Sequence, residues 1–115
     1  MEYKLHPGSS DNYFIRLKNG FIFNTYDIKS KKIFLSCKLR GKGKLNFYVF
    51  RYSAKNRFLG SKFMKTFDAK PGPQWKDHSF IFDRPGEQSE SQCLVVWPAK
   101  GAEIDIDDVI LMPRE

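Results

Sequence analysis

The sequence predicts an all-β domain, a sandwich or barrel of about eight strands. Apolar residues recur at the two-residue period of strands, and clusters of Gly, Pro, Asn, Asp and Ser interrupt them at short intervals. No stretch sustains a helical apolar period. At 115 residues the chain makes one domain with its own core, so residues 1–115 are read as a single unit. With eleven Phe and only two Cys, packing rather than disulfide stapling must hold it.

The strands follow in order. The first eleven residues, rich in Gly, Ser and Asp, are expected to be loosely ordered. Tyr13–Lys18 is the first strand and Asn19-Gly20 its turn, leading into Gly20–Asp27. Lys32–Arg40 alternates cleanly, with Ile33, Leu35, Cys37 and Leu39 on the core face and Lys32, Phe34, Ser36, Lys38 and Arg40 on the other. Gly41-Lys42-Gly43 reads as a break before Lys44–Ser53, where Leu45, Phe47 and Val49 oppose Tyr48, Phe50 and Tyr52. That strand is apolar on both sides, so its second face is either covered or an open aromatic platform. Phe58–Phe67, Lys76–Asp83, Gln92–Trp97 and Glu103–Met112 complete the set, separated by Pro71-Gly72-Pro73 and the polar stretch Arg84–Ser91. Cys37 and Cys93 read as small buried hydrophobes, with a disulfide between them as the alternative.

The last strand is chemically unusual because Asp105, Asp107 and Asp108 crowd among Ile104, Ile106, Val109 and Leu111. Carboxylates there must meet water, a cation or backbone donors. A hard cation requires six to eight oxygens, and Asp107 with Asp108 would supply the first of them, Asp105 sharing a face with Asp107. In the other reading one aspartate bonds backbone N–H groups at a bulge while the others are solvated.

Charge is uneven. Residues 1–70 hold 16 Lys and Arg against 4 Asp and Glu, a balance of +12, and residues 71–115 hold 4 against 9, a balance of −5. The basic part favours an anionic partner, with Lys38, Arg40, Lys42, Lys44, Arg51, Lys55 and Arg57 as its ladder; the plainer reading is a solubility feature. Nucleic acid is disfavoured, since no nucleic-acid-binding motif is present and the acidic part would repel the same polymer. No apolar run approaches a membrane span, and Met1–Gly8 lacks a signal peptide's hydrophobic core.

Three pieces of the chain, Asn12–Leu17, Leu39–Gly60, and Trp75–Phe82 with Glu103–Leu111, resemble the galactose-binding-like jelly rolls, in particular the carbohydrate-binding modules of bacterial polysaccharide-degrading enzymes. The resemblance implies a jelly-roll β-sandwich of two antiparallel sheets in a secreted or cell-surface protein. It also implies a structural calcium between an opening segment and the last strand, which here reaches Asp107 and Asp108. The additional opening strand of such modules has no match in this sequence.

Sugar recognition needs flat aromatic faces and hydroxyl partners. The pool is Trp97, Trp75, Tyr48, Tyr52 and Tyr26, with Arg51, Asn46, His78 and Gln74 as hydrogen-bonding neighbours; each Trp could equally pack in the core or at an edge. Catalysis has little support, because His6 and His78 are the only histidines and neither has a nucleophile in telling spacing. The expected function is non-catalytic binding of a polysaccharide or oligosaccharide, as an accessory domain alongside other domains of a larger secreted protein. The alternatives are a structural or protein-interaction sandwich without a sugar site, and a binder of an anionic polymer, acidic glycan or nucleic acid.

Overall fold

The computed structural model describes the backbone of residues 3–5 and all of residues 14–114. Eight antiparallel-paired strands are described: β1 (Tyr3–Leu5), β2 (Ile15–Leu17), β3 (Phe21–Tyr26), β4 (Lys32–Tyr52), β5 (Phe58–Ala69), β6 (Lys76–Asp83), β7 (Ser91–Pro98) and β8 (Glu103–Arg114). They build a jelly-roll β-sandwich whose two sheets share one strand. In sheet A, residues 32–42 of β4 lie between β6 and β8, and the far edge of β8 takes both β1 and β2. In sheet B, residues 43–52 of β4 lie between β5 and β7, with β3 beyond β7.

The shared strand corrects the sequence reading. The two strands expected at Lys32–Arg40 and Lys44–Ser53 are one strand of 21 residues, and Gly41-Lys42-Gly43 is a bend rather than a break. Gly41 and Gly43 adopt φ of 127° and 104°, a region that side-chain-bearing residues avoid. A methyl on Gly41 would also collide with the Glu103 carbonyl oxygen of β8. The glycines thus let the chain change sheets without releasing its hydrogen bonds.

A second correction concerns the start of the chain. Tyr3–Leu5 is a strand, paired with Leu111–Val109, although three residues are too few to show a period in the sequence. The other residues expected to be loosely ordered, and Tyr13 of the first expected strand, lie outside the described residues.

The inner faces meet in one core. Ile33, Leu35, Leu39, Ile104, Ile106 and Leu111 of sheet A face Leu45, Phe47, Val49, Leu94 and Val96 of sheet B, all essentially inaccessible. Burying each such side chain contributes about 1.5–3 kcal/mol. Phe80 of β6 bridges the layers, meeting Phe47 and Phe67 edge-on at 5.9 and 5.5 Å between ring centres. Cys37 and Cys93 are both buried and unbridged. Cys37 faces this core, whereas Cys93 lies across from Phe50 on the other side of sheet B, so no disulfide joins them.

Candidate functional site

The second face of the β4 strand is the open platform. On the outer side of sheet B, Tyr48, Phe50 and Tyr52 are half-buried, and hairpin pairing places β5 beside them. Phe63 stands across from Tyr48, Ser61 from Phe50 and Phe58 from Tyr52. Their rings meet edge-on, Tyr48 with Phe63 at 5.6 Å and Phe58 with Phe50 and Tyr52 at 5.5 Å each. On the other flank, β7 contributes Trp97 opposite Asn46 and Val95 opposite Tyr48, and β3 contributes Ile22 opposite Val95. Val95 is buried and floors the surface, while Trp97, Phe63, Phe58 and Ile22 are each more than half exposed. Trp97 therefore stands outside the core, contrary to one of its two sequence readings.

Two grooves run over this face. The first, about 280 Å³, is lined by Tyr48, Phe50, Ser61, Val95 and Trp97. The second, about 510 Å³, continues beside Tyr52 and adds polar groups from Asn24, Thr25, Asn56 and Ser91. No charged side chain among the described residues lines either groove. Asn46, beside Trp97, is held by the Thr66 hydroxyl, which donates to its Oδ1 at 2.6 Å. The surface offers flat apolar faces interspersed with neutral hydrogen-bonding groups, a combination suited to rings that carry C–H on one face and hydroxyls at their rim.

The expected site residues divide among several places. Tyr48, Tyr52 and Trp97 share the platform, together with Asn46. Tyr26 is a correction: only 6% exposed, it faces the core, and burial pushes its hydroxyl pKa upward. Arg51 is committed elsewhere, donating to both oxygens of Glu90 at 2.7 and 2.8 Å. Trp75 is on the other side of the sandwich, half-buried before β6, with its ring 4.4 Å from the Arg40 guanidinium carbon. Phe14 takes the same guanidinium at 5.0 Å and meets Trp75 edge-on at 5.7 Å. His78 packs on Phe67 at 4.9 Å and, through burial, has a lowered pKa; Gln74 is exposed in the loop before Trp75. Sequence reasoning put Phe50 on the second face with Tyr48 and Tyr52 but missed Phe58, Phe63 and Ile22, because phenylalanine and isoleucine read as core. The signal for them was the two-faced alternation of Lys44–Ser53, whose outer aromatics pack beside those of the paired strand.

The acidic strand is explained by structure. Register passes from Ser36 opposite Ile110 to Lys38 opposite Asp107, leaving one extra residue in β8, and Asp108 takes φ of 50°. At this bulge Asp107 Oδ1 accepts the Asp108 backbone N–H at 2.8 Å. Asp105 is 2% exposed and receives hydrogen bonds from Arg16 and, at 3.0 Å, from Arg40. Burial would raise its pKa, but the two guanidinium groups carry it below the ordinary value. Asp105 is thus engaged by arginines and Asp107 by the backbone, no three potential metal-ligating side chains gather among the described residues, and the opening segment that would complete the expected calcium site lies outside them.

Four residues of the basic ladder, and Lys32 beside them, are paired with acidic side chains. Lys32 meets Asp83 at 2.7 Å, Lys38 meets Asp77 at 3.8 Å, Lys42 meets Glu103 at 3.7 Å, and Arg40 and Arg51 hold Asp105 and Glu90. Sheet A thus presents alternating charge rather than a uniformly basic face.

With these surfaces defined, the likeness to solved proteins is interpretable. No family profile and no curated protein matches the sequence. Among solved structures, the xylan-binding domain CBM22-1 of a Paenibacillus barcinonensis protein superposes with a TM-score of 0.59 at 9% identity, over 95% of this chain and 91% of that one. The fold is that of carbohydrate-binding modules. A second member, the CBM22-1 and GH10 modules of a Clostridium thermocellum endo-1,4-beta-D-xylanase complexed with xylohexaose, gives a TM-score of 0.60 at 13% identity over 99% of this chain. The chain spans only 26% of that protein's length. At these identities the likeness concerns the carbohydrate-binding-module fold, and ligand chemistry must be argued from this jelly roll's own side chains.

Proposed function

We propose that the domain binds a polysaccharide, without catalysis, through the outer face of sheet B. We propose further that it is an accessory domain of a larger exported protein acting on carbohydrate, the setting suggested by the multimodular xylanase it resembles. The observation that carries the reading is Trp97, 53% exposed beside a groove whose other walls are Tyr48 and Phe50. Sugar rings stack their C–H faces on such aromatics, while Ser61, the Tyr48 hydroxyl and the second groove's amides meet ring hydroxyls. The uncharged lining favours a neutral chain over a uronic-acid or sulfated one, and the paired ladder of sheet A weakens the anionic-polymer reading.

Titration with xylohexaose, followed by a panel of neutral and acidic polysaccharides, tests this. Trp97→Ala is expected to weaken binding at least about tenfold, the loss of a stacking contact worth about 1.4 kcal/mol, while leaving the circular dichroism unchanged. Undiminished binding by that variant, or no binding of the native protein to any glycan of the panel, overturns the proposal.

A further inference from the structure

We propose that Gly20 is a positioning residue for the glycan platform: its missing side chain lets the Trp97 indole lie against the backbone between β2 and β3, sealing one ring face and presenting the other. This rests on the glycan reading for its consequence and on geometry for its cause. A methyl built on Gly20 would collide with Trp97 Cε3 and Cζ3 and come within 2.8 Å of Cδ2. All three atoms belong to the six-membered half of the indole, so the glycine backs the ring itself rather than its attachment.

Backbone conformation does not explain why glycine occupies this position. The described glycines with φ in the left-handed region are Gly41, Gly43, Gly60, Gly72, Gly86 and Gly101, and Gly20 is outside that set. Its φ does not call for glycine, and the three atoms nearest to an added methyl all belong to Trp97. Trp97 is nonetheless 53% exposed, so contact with Gly20 leaves much of the side chain open to solvent. Stacking on a sugar depends on ring orientation, and an indole free to rotate would lose entropy on binding. A backbone support held by β2 and β3 fixes the ring before ligand arrives.

The test separates the geometry from the function. Protein labelled with 5-fluorotryptophan has two fluorine resonances, one from Trp75 and one from Trp97, assigned with Trp75→Phe. Gly20→Ala is expected to shift the Trp97 resonance and leave that of Trp75 in place, the latter reporting an intact sheet A. The same variant should bind xylohexaose about tenfold more weakly, approaching Trp97→Ala, with an unchanged melting transition. An unmoved Trp97 resonance overturns the inference whatever the glycan result. A shifted resonance with native affinity, in a protein whose Trp97→Ala variant has lost binding, overturns it as well. If Trp97→Ala itself binds normally, the glycan reading fails while the fluorine result still judges the support of the ring by Gly20.

Discussion

A carboxylate inside a β-sandwich persists only where donors replace the water it has lost, and Asp105 and Glu90 show two ways of supplying them. Asp105 takes guanidinium groups from neighbouring strands, one on each side of β8. Glu90, 4% exposed, takes a bidentate Arg51, the Glu87 N–H at 2.9 Å and the Gln92 amide at 3.3 Å. The Arg51 hydrogen bonds, opposed by burial, pull the Glu90 pKa from an ordinary 4.5 down to about 2. A carboxyl more acidic when folded adds stability above its unfolded pKa and loses it as pH falls through the folded one. The melting temperature should therefore decline between about pH 4.5 and pH 2, and Glu90→Gln should be less stable at pH 7 yet show a shallower acid decline. A native-like acid slope in that variant would assign the loss to other groups. Cys37 behaves oppositely, burial pushing its thiol up to about 12, which marks it as a packing residue.

Among the elements, β4 and β8 carry the departures from simple alternation, and both left traces in the sequence. In β8 the core residues are Ile104 and Ile106, then Val109 and Leu111, a change from even to odd positions that an uninterrupted strand cannot accommodate on one face. The bulge at Asp108 absorbs that change of phase. In β4 the core positions stay odd from Ile33 to Val49, straight through the glycines. Continuous phase across Gly41-Lys42-Gly43 was the available sign of a bend, since a turn reverses direction and imposes no such continuity. Gly41→Ala is expected to lower unfolding free energy by about 2 kcal/mol or more in urea titration, from backbone strain and the clash with Glu103. A change below about 0.5 kcal/mol would mean that β4 does not need this geometry to cross between sheets.

For the whole molecule, antiparallel pairing interleaves charges that lie far apart in the chain. The basic residues of β4 come from the +12 part, and their partners on β6, β8 and Glu90 come from the −5 part. Part of the asymmetry that suggested an anionic partner is thus taken up by ion pairs within one domain. The continuous β4 and the common core also bind the layers into one cooperative unit, because the inner face of each sheet is buried only against the other. Fluorine signals from Trp75, beside sheet A, and Trp97, on sheet B, should report the same urea midpoint. Separate midpoints would show that the sheets melt independently.

The sequence by itself determined the all-β class, the positions of most strands, the core face of β4 and the aromatic character of its other face, because alternation and turn chemistry are local properties of the chain. Tertiary structure decided that Tyr48, Tyr52 and Trp97 share an open surface while Trp75 serves the opposite side, that Tyr26 is buried, and that Asp105 and Arg51 are engaged internally. Those outcomes depend on which strands become neighbours and which layer covers a face. Pairing across tens of residues selects both, and it leaves little record in the local pattern.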